Sequence, residues 1–158
     1  MIFDNLLKNF IYDPVAFLGI LAFYILLVNL PISLLALIQK KSSFVVSSFT
    51  ILVNFLIALQ LLLRWSISGH FPISNLYESL YFLAWGISLG QLLIEREYKS
   101  PLIPAIGIPF ELITVAFACF VLPEDLKLSS NLVPALRSSW LIMHVSVVML
   151  SYAALIIG

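Results

Sequence analysis

The sequence predicts an all-α, polytopic integral membrane protein with about five transmembrane helices, and three observations carry that prediction. Of its 158 residues, 62% are hydrophobic and 10% charged, and the mean hydropathy is +1.11, far outside the range of a soluble domain. The apolar residues gather into runs of about 20, the length that crosses a ~30 Å hydrocarbon core as a helix. The charged residues fall mostly in short clusters between those runs. Chain length is thereby spent on spans within a single membrane domain, 1–158, and little remains for an aqueous domain.

Eight Lys and Arg balance eight Asp and Glu, so no long-range field gathers polyanions, and nucleic acid is not expected as a partner. Cys119 is the single cysteine; it lies in an apolar run and cannot form an intrachain disulfide, a CxxC redox pair or a cysteine zinc cluster. Residues 1–14 mix Asp4, Lys8 and Asp13 with apolar residues and lack the basic start and short apolar core of a cleaved signal peptide, so none is expected.

The first span is expected over 15–38, kinked where Pro31 removes a backbone donor, and ended by Lys40 and Lys41. The second, 44–63, follows after so few residues that the two must form a tight antiparallel hairpin. Asn54 and Gln60 are expected to face other helices. Arg64 and Trp65 read as an interfacial anchor, because guanidinium and indole both favour the headgroup level. The loop from Ser66 to Ser74, with Gly69, His70 and Pro72, leads into Asn75-Leu76-Tyr77-Glu78, where an Asn followed three residues later by Glu reads as a capping box. Glu78 then either caps the helix and complements its dipole or belongs to a site on that face. His70 reads as an ordinary loop histidine or a second member of such a site.

The third span is expected over 76–94, with Tyr77, Tyr81, Trp85 and Ser88 along one packing side. Glu95-Arg96-Glu97-Tyr98-Lys99-Ser100 reads as a charged turn. Pro101, Pro104 and Pro109 make the start of the fourth span, 102–122, irregular. Glu111 is the only charged residue in that span, and at mid-depth its charge would cost on the order of 2.5–3.5 kcal/mol, which marks a functional candidate. The competing expectation has the regular helix begin at Pro109, with Glu111 in its first turn by the positive dipole end. After the polar connection Pro123–Arg137, the fifth span, 140–158, stops with the chain, without a polar cap or basic anchor, and is expected to be truncated.

Each side of such a bundle collects four basic residues: Lys8, Arg64, Lys127 and Arg137 on one, Lys40, Lys41, Arg96 and Lys99 on the other. The second set is packed into two short turns beside the spans, and that density places those turns in the cytoplasm or stroma. The N-terminus, the His70 loop and the His144 end then face the opposite side. His144 lies about four residues inside the fifth span, roughly 6 Å below its start at 1.5 Å per residue, which is the water boundary. Arg137, Trp140, Leu141, His144, Val148, Ser151 and Tyr152 share one stripe that is polar at both ends. An imidazole on such a stripe can bind haem iron or another metal, relay protons or hydrogen-bond a neighbouring helix.

Three passages add a resemblance. Ser68-Gly69-His70-Phe71-Pro72-Ile73-Ser74-Asn75-Leu76-Tyr77-Glu78-Ser79-Leu80, then Leu132-Val133-Pro134-Ala135-Leu136, then Trp140-Leu141-Ile142-Met143-His144-Val145-Ser146 with Ser151-Tyr152-Ala153-Ala154-Leu155 resemble, in order and spacing, the N-terminal half of the CcsA family. That family handles haem in system II cytochrome c biogenesis in cyanobacteria, plastids and some other bacteria. The resemblance covers Arg64 to Gly158; residues 1–60 agree in being a hydrophobic hairpin. It implies a multi-pass protein of the thylakoid membrane, or otherwise of a bacterial inner membrane. With the partner CcsB (Ccs1), such a protein takes haem b across the membrane and presents it for thioether attachment to the CxxCH motif of apocytochrome c, as part of a cytochrome c synthase (haem lyase) complex. His144 matches the first of two external histidines proposed as haem ligands, and so stands as cofactor-binding residue and axial ligand of the haem iron. The family's tryptophan-rich WWD segment and second external histidine are absent from these residues, so the chain alone is expected to be inactive and to bind haem weakly or not at all. Glu111 is no part of the family pattern. Two other classes stay open from the residues: a polytopic small-solute transporter coupled through Glu111, and a non-catalytic membrane assembly subunit.

Overall fold

The computed structural model describes residues 14–41, 43–123 and 139–158. Among them the regular elements are helices: α1 Pro14–Ile38, α2 Phe44–Ser68, α3 Leu76–Tyr98, α4 Leu102–Ala116, which runs on as a π turn through Phe117–Val121, and α5 Ser139–Ile157. Three of them are long and apolar enough to cross a membrane: Pro14–Ile38, Phe44–Ser68 and Leu102–Val121. Ile142–Ile157 within α5 is a shorter apolar stretch. The remaining helix, α3, carries Glu78, Glu95, Arg96 and Glu97; Glu78 and Glu95 turn into the bundle, where Arg64 and Ser47 reach them, while Arg96 and Glu97 are exposed at its end. The molecule is an all-α polytopic membrane protein.

Packing follows chain order. The α1–α2 hairpin lies beside α3, α4 closes the ring by packing on both α3 and α1, and α5 lies outside the ring against α3 and, less extensively, α4. Glycines set the closest approaches. A Cβ on Gly19 would collide with the Tyr81 hydroxyl, so glycine there leaves room for the tyrosine side chain that reaches α1 from α3. Gly86 and Gly90 sit four residues apart on α3, and a Cβ at either would reach Ala153, Leu150 or Ile157 at 3.0–3.3 Å. This Gly-x-x-x-Gly seam, the usual device for close helix approach in lipid, seats α5 and runs parallel to it.

The local breaks have visible causes. Asn75 caps α3, its Oδ1 accepting from the Glu78 N–H at 2.8 Å, as the capping signal predicted. Gly69 ends α2 at φ +71°, a left-handed conformation that glycine adopts without strain. Helix α2 nevertheless runs five residues beyond the expected end at 63, and α3 four beyond 94. In both cases a charged residue expected at the boundary turns into the bundle: Arg64 on α2 and Glu95 on α3. Helix α4 also departs from expectation. It begins at Leu102, with Pro104 in the first turn where no donor is missed, and continues through Pro109. Glu111 is therefore well inside the helix, and the first-turn placement is wrong. The residues expected to form the polar connection, the N-terminal segment and Arg137 of the outer stripe lie outside the described residues.

Candidate functional site

The two ends of the bundle are set by the helix order. The α2–α3 loop with His70 and the start of α5 with His144 share one end; the turn after α1 and the turn after α3 share the other. The seam contacts Gly86–Ala153 and Gly90–Ile157 fix the register of α5 along α3, and carrying that register back places His144 about level with the first turn of α3.

That first turn holds a closed ionic knot. Arg64 Nε donates to Glu78 Oε1 at 3.0 Å, with the arginine side chain 11% exposed and the carboxylate fully buried. Glu78 Oε2 accepts from the Ser74 N–H at 2.9 Å and the Ser74 hydroxyl at 2.7 Å. The guanidinium also lies 4.8 Å above the Tyr77 ring, and the Tyr77 hydroxyl accepts from Gln60 Nε2 at 3.0 Å. Arg64 is thus no headgroup anchor: it turns inward to neutralise a buried carboxylate 14 residues away. Trp65, 44% exposed, keeps the outward place expected of it. Beside this knot Trp65 meets Phe71 and Phe71 meets Phe82 edge to face, and Phe82 lies tilted on Trp85, around an apolar cleft of about 260 Å³. His70 is half-buried in the loop, its Nδ1 3.3 Å from the Phe71 carbonyl oxygen.

His144 is placed differently. The face of α5 that packs on the bundle carries Ile142, Val145, Met149 and the buried Ala153. His144 lies on the other side and is exposed, together with Trp140 at 78%, Ser151 and Tyr152. Among the described residues its ring makes no hydrogen bond. Its ring thus lies away from the α3-packing face of α5. Among the described residues no cluster of three or more His, Cys, Asp or Glu could hold a metal ion.

At mid-depth the interior is polar. Asn54 Nδ2 donates to Ser88 Oγ at 2.9 Å and to the Trp85 carbonyl at 3.2 Å, so Asn54 and Gln60 face other helices as expected. Tyr77, Tyr81 and Ser88 are buried packing residues, and the Tyr81 hydroxyl lies 2.9 Å from the Cys119 sulfur in the π turn. Glu111 is fully buried with neither oxygen hydrogen-bonded. Sequence reasoning missed the Arg64–Glu78 pair, for which nothing local signals a partner across a loop. It also missed the Gly86/Gly90 seam, which the Gly-x-x-x-Gly spacing could have disclosed.

A ring of four helices with a fifth docked through a glycine seam, ending in an exposed histidine at one bundle end, defines a multi-pass membrane protein with a ligand-accessible imidazole beside its surface. The chain belongs to the cytochrome C assembly protein family, whose model matches residues 73–158. Its relatives include proteins named cytochrome c biogenesis protein CcsA from Prochlorococcus marinus: 80% identical over all 158 residues in strain MIT 9215, 82% over all 158 in strain MIT 9312, and 54% over 155 residues, 98% of this chain, in strain NATL2A. The chain spans about half the length of the curated relatives it matches, 51%, 51% and 49% respectively.

Proposed function

We propose that this chain acts in cytochrome c biogenesis as the N-terminal part of a longer CcsA-like protein, and that His144 is an axial ligand to haem b held for transfer to apocytochrome c. The observation that carries the reading is the exposed imidazole of His144 near the start of α5, unpartnered among the described residues. Neutral imidazole is the common protein ligand of haem iron. Haem is cargo here, and its vinyl groups, with the cysteine thiols of the apocytochrome, supply the bond-forming chemistry. The chain contributes position: the glycine seam seats α5 on α3, and the Arg64–Glu78 knot ties the end of α2 to the start of α3 at about the depth of His144. A CcsB (Ccs1) partner, the apocytochrome and a thylakoid membrane complete the reading, as the family resemblance implies. Basic density places the Lys40–Lys41 and Arg96–Lys99 turns on the cytoplasmic side and His144 on the opposite, apocytochrome-facing side.

The test is made in the protein of full family length. His144→Ala should block cytochrome c maturation while leaving the protein at normal abundance, and external imidazole should restore part of the maturation by entering the vacated coordination position. Loss of abundance with unchanged haem per protein, and no response to imidazole, would instead make His144 a structural residue.

A further inference from the structure

Between the turn that follows α3 and the middle of α4, side chains on four helices line up oxygen acceptors with too few donors. Glu95 Oε1 accepts from the Ser47 hydroxyl at 2.7 Å, while Oε2 is buried without a partner. Glu95 and Ser47 line an open cleft of about 600 Å³ together with Arg96 and Lys99. One turn deeper, Gln91 Nε2 and Asn29 Nδ2 both donate to Thr50 Oγ1, at 3.3 and 3.2 Å, which leaves Gln91 Oε1 and Asn29 Oδ1 unsatisfied. Next comes Ser88, whose hydroxyl accepts from Asn54 and donates to the Ala84 and Trp85 carbonyls, and close to it lies Glu111, whose buried oxygens meet no other donor among the described residues. Glu95, Gln91 and Ser88 follow helical spacing along one face of α3, a rise of about 10 Å. Gly107, one turn before Glu111, leaves room for Gln91: a Cβ there would collide with Gln91 Oε1.

Beyond Glu111 the row stops. Ile57, Ala84 and Val115, at most 1% exposed, form an apolar layer between it and the Gln60–Tyr77–Tyr81 group. No basic side chain neutralises Glu111 among the described residues. Helix α1 offers no acidic or basic residue and its Tyr24 is exposed; on α2 the ionisable residue is Arg64, engaged with Glu78; on α3 Glu78 is so paired, Tyr81 meets Cys119, and Glu95 sits at the cleft; on α5 His144 and Tyr152 are exposed. Buried acceptors without donors call for water or a proton, and an intramembrane carboxyl group in such a row is the usual form of a proton relay.

We propose that Glu111 is a proton-binding site at mid-depth, reached by water from the Glu95 cleft along the Gln91–Asn29 row and sealed on the other side by Ile57, Ala84 and Val115. A hydronium ion in the cleft gives up a proton, one of its O–H bonds breaking to leave water, and the proton passes along hydrogen-bonded water to a Glu111 carboxylate oxygen, where one O–H bond forms; it leaves by the reverse route. The proposal is independent of haem binding at His144 and concerns a function that the family resemblance does not supply.

Infrared spectroscopy of the chain reconstituted in lipid vesicles tests it, with the amide band reporting the helical fold of every sample. The wild type should show the C=O stretch of a protonated carboxylic acid that shifts on transfer to ²H₂O, and Glu111→Gln should remove that band. Gln91→Leu, which fills the row with an apolar side chain, should keep the band but slow its isotope shift several-fold. A wild type without such a band overturns the proposal with no variant needed. So does a band that survives in Glu111→Gln, an exchange rate unaltered by Gln91→Leu, or a band abolished by sodium ions at constant pH, which would make the site one for a metal cation.

Discussion

The interior of the α1–α4 ring and the outer face of α5 treat polar residues in opposite ways. Inside the ring, Arg64, Glu78, Asn54, Ser88, Thr50 and Gln60 reach across to a side chain or carbonyl on another segment. On α5 the packed face is apolar, while Trp140, His144, Ser151 and Tyr152 point away from the ring. Polar groups that find partners within the chain hold the bundle together; polar groups turned outward are available to a ligand or another chain. Substitutions in the two regions should therefore separate stability from function.

The largest effect is expected at the ionic knot. Arg64→Ala leaves the fully buried Glu78 carboxylate without its cation, and loss of one member of a buried pair costs about 3–5 kcal/mol. Unfolding in detergent should show that loss, and the double variant Arg64→Ala/Glu78→Gln should recover much of it. Gly19→Val comes next, since its branched side chain must displace the Tyr81 hydroxyl; overpacking of this kind costs about 1–3 kcal/mol, measurable in the same assay. Asn54→Ala removes one interhelical hydrogen bond, worth about 0.6 kcal/mol on average and up to about 1.7 in membranes. His144→Ala should be the smallest, within about 0.5 kcal/mol as for other exposed positions. A stability loss at His144 as large as that at Arg64 would erase the distinction between the regions.

The same comparison can be sharpened by topology. In a Cys119→Ser background, cysteines at Ser68 and Ser100 should react with membrane-impermeant reagent from opposite sides, because α3 separates them. Labelling of both from one side would contradict the crossing of α3.

Much of the helical framework was legible because its causes are local. Apolar runs set α1, α2 and α4, the Asn75–Glu78 spacing marked the start of α3, and isolated Asn54 and Gln60 in apolar runs had to face other helices. What escaped was long-range. Arg64 was read as an anchor because a guanidinium beside a tryptophan is ordinary at a headgroup boundary, and its carboxylate partner lies across a loop. Pro109 suggested a helix start, yet α4 was already formed from Leu102 with Pro104 absorbed in its first turn, so Glu111 lies deeper than that reading allowed. For His144, periodicity found a polar stripe but not which way it turned; α5 packs on Gly86 and Gly90 through Leu150, Ala153 and Ile157, and His144 faces away from the ring. Its link to haem came from resemblance.

The most direct measurement of the central claim is the haem spectrum of the full-length protein carrying His144→Cys. An axial ligand at this position should change from imidazole to thiolate, altering the optical and electron paramagnetic resonance signatures of the bound haem at unchanged protein abundance. A spectrum identical to that of the wild type, with haem still bound in the same proportion, would contradict the assignment of His144 as the ligand.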